Sequence, residues 1–186
     1  MTTSNDELAA AVEPFTPERV AARAGLQADD IVLATGSVPI AIPGFDFDEE
    51  RVWSSTGALR PTRIPEHLVV IGGGNVAMDI ARSMARLQKQ QHGEIAVTLT
   101  ALEDKAHFLA DPVEIKESIE EQILIFDSRG PQECVQDEAG GLVGLRTWKV
   151  LSIFDDQHRF APTYDDSDEQ LHRGEWVIEA IGQMSD

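Results

Sequence analysis

The chain has 186 residues, 42% hydrophobic and 26% charged, a size and balance that suit one globular domain or one domain with an extension. Its net charge of −18 argues against nucleic acid and anionic membrane as partners, and requires that any bound dinucleotide, itself an anion, be held by local dipoles. The single cysteine, Cys134, excludes an internal disulfide, a C-x-x-C redox pair and a cysteine zinc cluster.

The polar start lacks the basic head and apolar middle of a signal peptide, and no apolar run is long enough to span a bilayer. The cytoplasm is therefore the expected location. Ser4 and Glu7 form a capping box before a short helix over residues 8–12. Thr16, Pro17 and Gly25 frame a second helix as N-cap, first-turn proline and C-terminal stop. Residues 31–35 read as a short buried strand closed by Gly36. Pro39, Pro43 and Gly44 mark an irregular crossover, and the acidic run 46–50 reads as a solvated loop.

Residues 67–87 carry the most information. Leu68, Val69, Val70 and Ile71 form an apolar run of strand length; Gly72, Gly73 and Gly74 follow; then Val76, Ile80, Met84 and Leu87 recur at helical spacing. A strand–glycine turn–helix unit aims free backbone N–H groups and the positive end of the helix dipole at one point, where a pyrophosphate can sit. Gly72 allows the sharp turn, Gly74 lets the backbone approach the phosphate, and the small Ala77 lets helix and strand pack closely. This is the G-x-G-x-x-A form of the dinucleotide fingerprint, in the context the motif demands. Gly72, Gly73, Gly74, Asn75, Val76 and Ala77 are the candidate cofactor-binding turn.

The polar stretch 88–93 extends the helix end and turn, and a second strand follows over residues 95–100. Glu103 and Asp104 stand beyond it, where the fold places an acid for the ribose hydroxyls. Asp111, Pro112 and Glu114 start another helix as N-cap, proline and reciprocal Glu, with Ile115 and Ile119 on its apolar side. A third strand covers residues 123–126. Short strands flank a hairpin turn at residues 138–141, residues 155–169 read as a freely varying acidic loop, and residues 176–181 form the last strand, ending at Gly182. Ile181 and Gly182 stand at a strand's carboxyl end, where ligands of such sheets gather.

Strands alternating with helices and interrupted by a meander indicate an α/β class: a Rossmann-like three-layer domain with a parallel sheet and an inserted β-meander. The expected division is a helical extension over 1–28, a strand and crossover over 29–66, and a dinucleotide-binding domain over 67–186. The five histidines show no ligand spacing, so no metal site is expected. Trp53, Trp148 and Trp176 read as packing residues, and Asp79 as an acid favoured by the helix dipole. Tyr164 lacks the lysine four positions on that a short-chain dehydrogenase needs.

Several of these stretches resemble the two-dinucleotide flavoprotein reductases, the pyridine nucleotide-disulfide oxidoreductase-like superfamily. The run from Ile31 through Thr35, Gly36 and Ser37 resembles the A-T-G motif leading out of their FAD domain. Residues 52–59 and 64–68 resemble the crossover before the NAD domain of dihydrolipoamide dehydrogenases. GGGNVAMDIAR, ADPVEIKESIEEQI and WVIEAIGQ resemble the small subunit of glutamate synthase and its relatives, including part of dihydropyrimidine dehydrogenase.

The resemblance implies a nicotinamide dinucleotide on Gly72–Ala77, Glu103, Asp104, Ile181 and Gly182, and in intact relatives an FAD facing Thr35 and Gly36. The flavin fingerprint expected before Ile31, the G-D motif expected near the end and a redox cysteine pair are all missing, which reads as an excised domain that meets FAD only in the full-length enzyme. Its expected partners are the nucleotide and the FAD domain or partner subunit of the parent. The paired arginines that glutamate synthase relatives use for a 2′-phosphate are replaced here by Ala101, Leu102, Glu103 and Asp104, so NAD(H) is expected over NADP(H), against the mild pull of Ala77. The function implied is hydride transfer between nicotinamide and flavin, chemistry that belongs to the cofactors. No general acid, base or nucleophile is expected in this chain, which alone should turn nothing over. The alternative reading is a noncatalytic dinucleotide-binding or subunit-interaction module.

Overall fold

A strand buried on both faces reads as a near-continuous apolar run, and the strand Leu68–Ile71 is that case, with all four residues buried. The computed structural model describes residues 36–185. Its strands in chain order are β1 (Ser37–Pro39), β2 (Val52–Ser54), β3 (Leu68–Ile71), β4 (Val97–Thr100), β5 (Leu124–Phe126), β6 (Arg129–Gln136), β7 (Leu142–Phe154), β8 (Phe160–Arg173), β9 (Trp176–Glu179) and β10 (Gln183–Ser185). Two helices, α1 (Asn75–His92) and α2 (Pro112–Glu120), complete them. The expected helices of residues 1–28 and the strand of residues 31–35, with Thr35, lie outside the described residues.

A five-stranded parallel sheet runs in the order β2-β9-β3-β4-β5. Val70 stands in register between Leu99 and Ile178. One face packs on α1, which contributes Ala77, Met78, Ala81, Met84 and Ala85 to a core shared with Leu68, Val70, Leu99 and Ile178. The helix ends where Gly93 takes the left-handed conformation, φ +80°, and its N–H donates to the Lys89 carbonyl at 3.1 Å. Inside the polar tail, Gln88 is buried and fully used. Its amide donates to the Pro65 carbonyl at 2.9 Å, and its oxygen accepts from the Ala96 N–H at 2.8 Å, so one side chain ties the entries of β3 and β4 together.

On the other face, Val69, Ile71 and Val177 pack with Val52, Phe45 and Leu145, flanked by Ile42, Phe47, Cys134 and Leu142. The third layer is thus built from the crossover and the meander. The crossover supplies β2, paired with β9, a strand absent from the sequence expectations. The acidic run is an ordered turn. Burial alone would raise the Asp48 carboxyl, but the amides of Arg51, Glu50 and Val52 and the Arg51 guanidinium bring it down to about 2. Trp53 and Trp176 are buried and stacked, centroids 4.3 Å apart, as packing residues should be.

The start of α2 departs from expectation. Asp111 caps it, accepting from the Val113 N–H at 2.8 Å, but Glu114 does not return to the Asp111 N–H. Glu114, Glu117 and Glu121 instead converge on Arg82 of α1, whose side chain is 12% exposed. A charged donor shielded from water outbids a backbone amide for a carboxylate. Ile115 packs on the core as expected, whereas Ile119 is exposed and Ser118 is the buried residue.

The meander also corrects the reading of the sequence. Strands β6, β7 and β8 form an antiparallel sheet of long strands in place of short ones, and the expected loop over 155–169 shrinks to a turn before Phe160. Most of β8 is exposed or half-buried on both faces, so its backbone ladder carries the pairing and its side chains are free to be acidic. Strand β9 stops at Glu179, two residues short of expectation, although the Ala180 N–H still reaches the Ile71 carbonyl at 2.8 Å.

Candidate functional site

The carboxyl ends of β3, β4 and β9 meet at the glycine turn. Gly72 donates its N–H to the Thr100 carbonyl at 2.9 Å and takes φ +146°. A Cβ there would lie 2.5 Å from the Ala180 carbonyl oxygen and 3.0 Å from the Ala77 Cβ, so only glycine fits. Ala77, fully buried, completes this close approach of helix and strand. A Cβ on Gly73 would come within 2.9 Å of the Glu103 Oε2, and the Gly73 carbonyl accepts from Ala110 N–H at 3.0 Å.

Gly74 differs from both. It has an ordinary φ of −98°, and a Cβ built on it meets nothing within 4 Å. It is the N-cap of α1 and offers no side-chain cap, so the N–H groups that open the helix have no cap side chain to meet them. The residues thus fit a pyrophosphate: a cradle that a larger side chain would fill, at the positive end of an 18-residue helix. The carboxamide oxygen of Asn75 is engaged in accepting the Asp111 N–H at 2.7 Å, which fastens the segment before α2 beside the turn. Val76 is 55% exposed at the rim, and Asp79 is exposed on the next turn.

The two candidate acids have different surroundings. Glu103 is half-buried with its carboxylate over Gly73. Asp104 is exposed and caps the 3-10 turn Lys105–His107, accepting from the Ala106 N–H and the His107 ring, each at 2.9 Å. The His107 ring foremost, and that amide, hold its carboxyl below the usual range. On the β9 side, Ile181 is 42% exposed and Gly182 takes φ +128°, its carbonyl accepting from the Ile40 N–H at 3.1 Å. The structure therefore gathers the glycine turn, Glu103 and the Ala180 end of β9 at one sheet edge. Gly36, exposed at φ +92°, is described, whereas its neighbour Thr35 is not.

Sequence reasoning missed Glu179. It is 1% exposed, with Oε2 accepting from the Ile42 N–H at 2.7 Å and Oε1 buried without a hydrogen-bond partner among the described residues. Burial pushes its carboxyl up to about 7, with Asp46 adding to the rise and the Ile42 amide opposing it. A lone acid ending an otherwise apolar, fully buried strand was the available signal.

The chain is similar to several known proteins. A segment of 62 residues is 47% identical to a dihydrolipoyl dehydrogenase of Haloferax volcanii, covering 33% of this chain and 13% of that protein. A segment of 65 residues is 48% identical to dihydrolipoyl dehydrogenase 3 of Pseudomonas putida, covering 35% and 14%. The matched segments thus amount to a small part of the relatives' own length. The fold is similar to that of thioredoxin reductase of T. acidophilum, with TM-score 0.55 and 17% identity over 80% of this chain and 42% of that one. It is also similar to LpdA of Mycobacterium tuberculosis, with TM-score 0.53 and 17% identity over 81% and 28%. The pattern of one family, described as pyridine nucleotide-disulphide oxidoreductase, matches residues 9–123, more than half of the chain. By that match, the chain belongs to the pyridine nucleotide-disulphide oxidoreductase family.

Proposed function

We propose that this chain is the NAD(H)-binding domain of an FAD-dependent oxidoreductase, working in the cytoplasm with the FAD domain or partner subunit of its parent enzyme. When bound, the nicotinamide and the flavin supply the hydride chemistry. The work of this chain is to bind and orient. The N–H groups at the start of α1 hold the pyrophosphate, Gly72 and Ala77 keep the helix close to β3, and Gly182 leaves room near the nicotinamide end. The curated relatives are named as dihydrolipoyl dehydrogenases, which favours this reading over a glutamate synthase assignment.

Open space in front of Gly74, where the other two glycines are crowded, is the observation that carries the proposal. Gly74→Val should abolish NADH binding and leave the circular dichroism spectrum unchanged, because the site's backbone angle suits any residue. Unchanged affinity in a folded variant would reduce the glycine turn to a structural feature. Preference for NADH rests on Glu103. Its carboxylate can accept from the ribose hydroxyls and repels a 2′-phosphate. Asp104 is already engaged with Ala106 and His107.

A further inference from the structure

At the amino ends of the sheet strands, away from the glycine turn, Glu66, His67 and Glu175 each offer a ligand atom, and these atoms lie within 4.8 Å of one another. The residues are brought together by the sheet itself. His67 immediately precedes β3, Glu175 immediately precedes β9, and the Glu175 N–H donates to the His67 carbonyl at 2.9 Å. Ring nitrogen Nδ1 of His67 is buried and has no hydrogen-bond partner among the described residues. Such a group is costly to leave unsatisfied unless something outside the chain meets it.

Glu175 is held in place. Its Oε2 accepts from Arg63 Nη1 at 2.6 Å, and the Arg63 guanidinium in turn lies 5.1 Å over the Trp176 ring. That arrangement fixes the carboxylate and leaves Oε1 without a hydrogen bond among the described residues. Glu66 is exposed and free to swing.

We infer that Glu66, His67 and Glu175 form a site for one divalent transition metal of the zinc class, clipping the entry of β3 to that of β9. One nitrogen and two carboxylate donors suit zinc, whereas calcium and magnesium prefer all-oxygen shells. Donors on one tetrahedral zinc stand about 3.3 Å apart, given bonds of about 2.0–2.1 Å. Atoms already within 4.8 Å of one another reach that spacing with movements of no more than about 1.5 Å, which the exposed Glu66 side chain can make. Water would fill the remaining position. The chain's net charge of −18 attracts a cation to the whole surface, so the test must separate this cluster from diffuse binding.

The test is calorimetric titration of the whole chain with Zn²⁺ at physiological ionic strength, paired with thermal melts. One equivalent should bind saturably and raise the melting temperature. His67→Gln and Glu175→Gln should each weaken that binding at least tenfold and remove the shift. Glu66→Gln, at an exposed position that cannot endanger the fold, should weaken it severalfold. Cys134→Ser should leave it intact, and NADH affinity should not change with metal. Absence of a one-to-one saturable phase overturns the inference. So does equal binding in the parent and in folded Glu66→Gln and His67→Gln variants, which would assign the ions to the general acidic surface.

Discussion

The parallel sheet and the antiparallel meander are held together by different forces. In the sheet, β3 and β9 are buried at every position, and removing their side chains from water on both faces supplies the stability. In the meander, Leu151, Phe160 and Leu171 are exposed, and pairing rests on the backbone ladder and on polar side chains. Arg129 donates to the Asp168 carbonyl at 2.9 Å and to its carboxylate at 2.8 Å, and Arg146 pairs with Glu133 and Glu169. The end of the meander near Leu145 enters the core beneath the sheet, and Val150 is buried as well. A buried strand is written mostly in apolar residues, whereas a solvated ribbon can be written in almost any.

The most direct way to break this contrast is truncation in each region. Ile178→Ala, at a fully buried position, should cost about 2–5 kcal/mol, whereas Leu151→Ala, at 66% exposure, should stay within about 0.5 kcal/mol. Urea denaturation of both variants measures it, and equal losses would make the meander part of the core.

The glycine turn at the end of β3 offers the next test. Gly72→Ala should cost about 2–4 kcal/mol, because it forces a side chain onto φ +146° and against the Ala180 carbonyl. Gly74→Ala should leave stability nearly unchanged. Matching losses in the two variants would contradict the crowding assigned to Gly72.

Glu179 lies between the sheet and the crossover, and its effect depends on pH. Its carboxyl rises from 4.5 to about 7 on folding, so the native state binds the extra proton. Stability from this group is complete below pH 4.5, falls as pH rises between 4.5 and about 7, and is lost above that. The loss should reach up to about 3 kcal/mol. Glu179→Gln, neutral at every pH, should be more stable than the parent at pH 8 and similar to it at pH 4.5. Melts across that range would show the two curves converging at low pH; parallel curves would refute the linkage.

The smallest effect separates the two acids after β4. NADH should bind more tightly than NADPH by roughly 1.5–3 kcal/mol, about tenfold to a hundredfold. Glu103→Arg should shrink the gap, whereas Asp104→Arg should leave most of it, since Asp104 serves the 3-10 turn. Calorimetry with both nucleotides checks it, and tighter binding of NADPH by the parent would reverse the assignment.

Legibility followed burial. Strand β3, the turn and α1 could be read directly because strand length, helical spacing and glycine placement all pointed to one unit. Strand β8 could not, since its acidic stretch pairs through the backbone of Asp165 and Glu169 while a bulge over residues 166–168 breaks the two-residue alternation. Strand β2 was hidden for another reason. Three residues carry no period, and Val52–Ser54 becomes a strand only beside β9, more than a hundred residues later in the chain.

The sequence by itself determined that a glycine turn follows a buried strand and opens a helix, because backbone angles and apolar spacing are local properties. Only the tertiary structure decided which acid stands over that turn, that Glu114 serves Arg82 and not its own helix end, and that Glu179 is buried with no partner for Oε1 among the described residues. Each of these depends on which side chain approaches from a distant part of the chain, and on whether water is still there when it arrives.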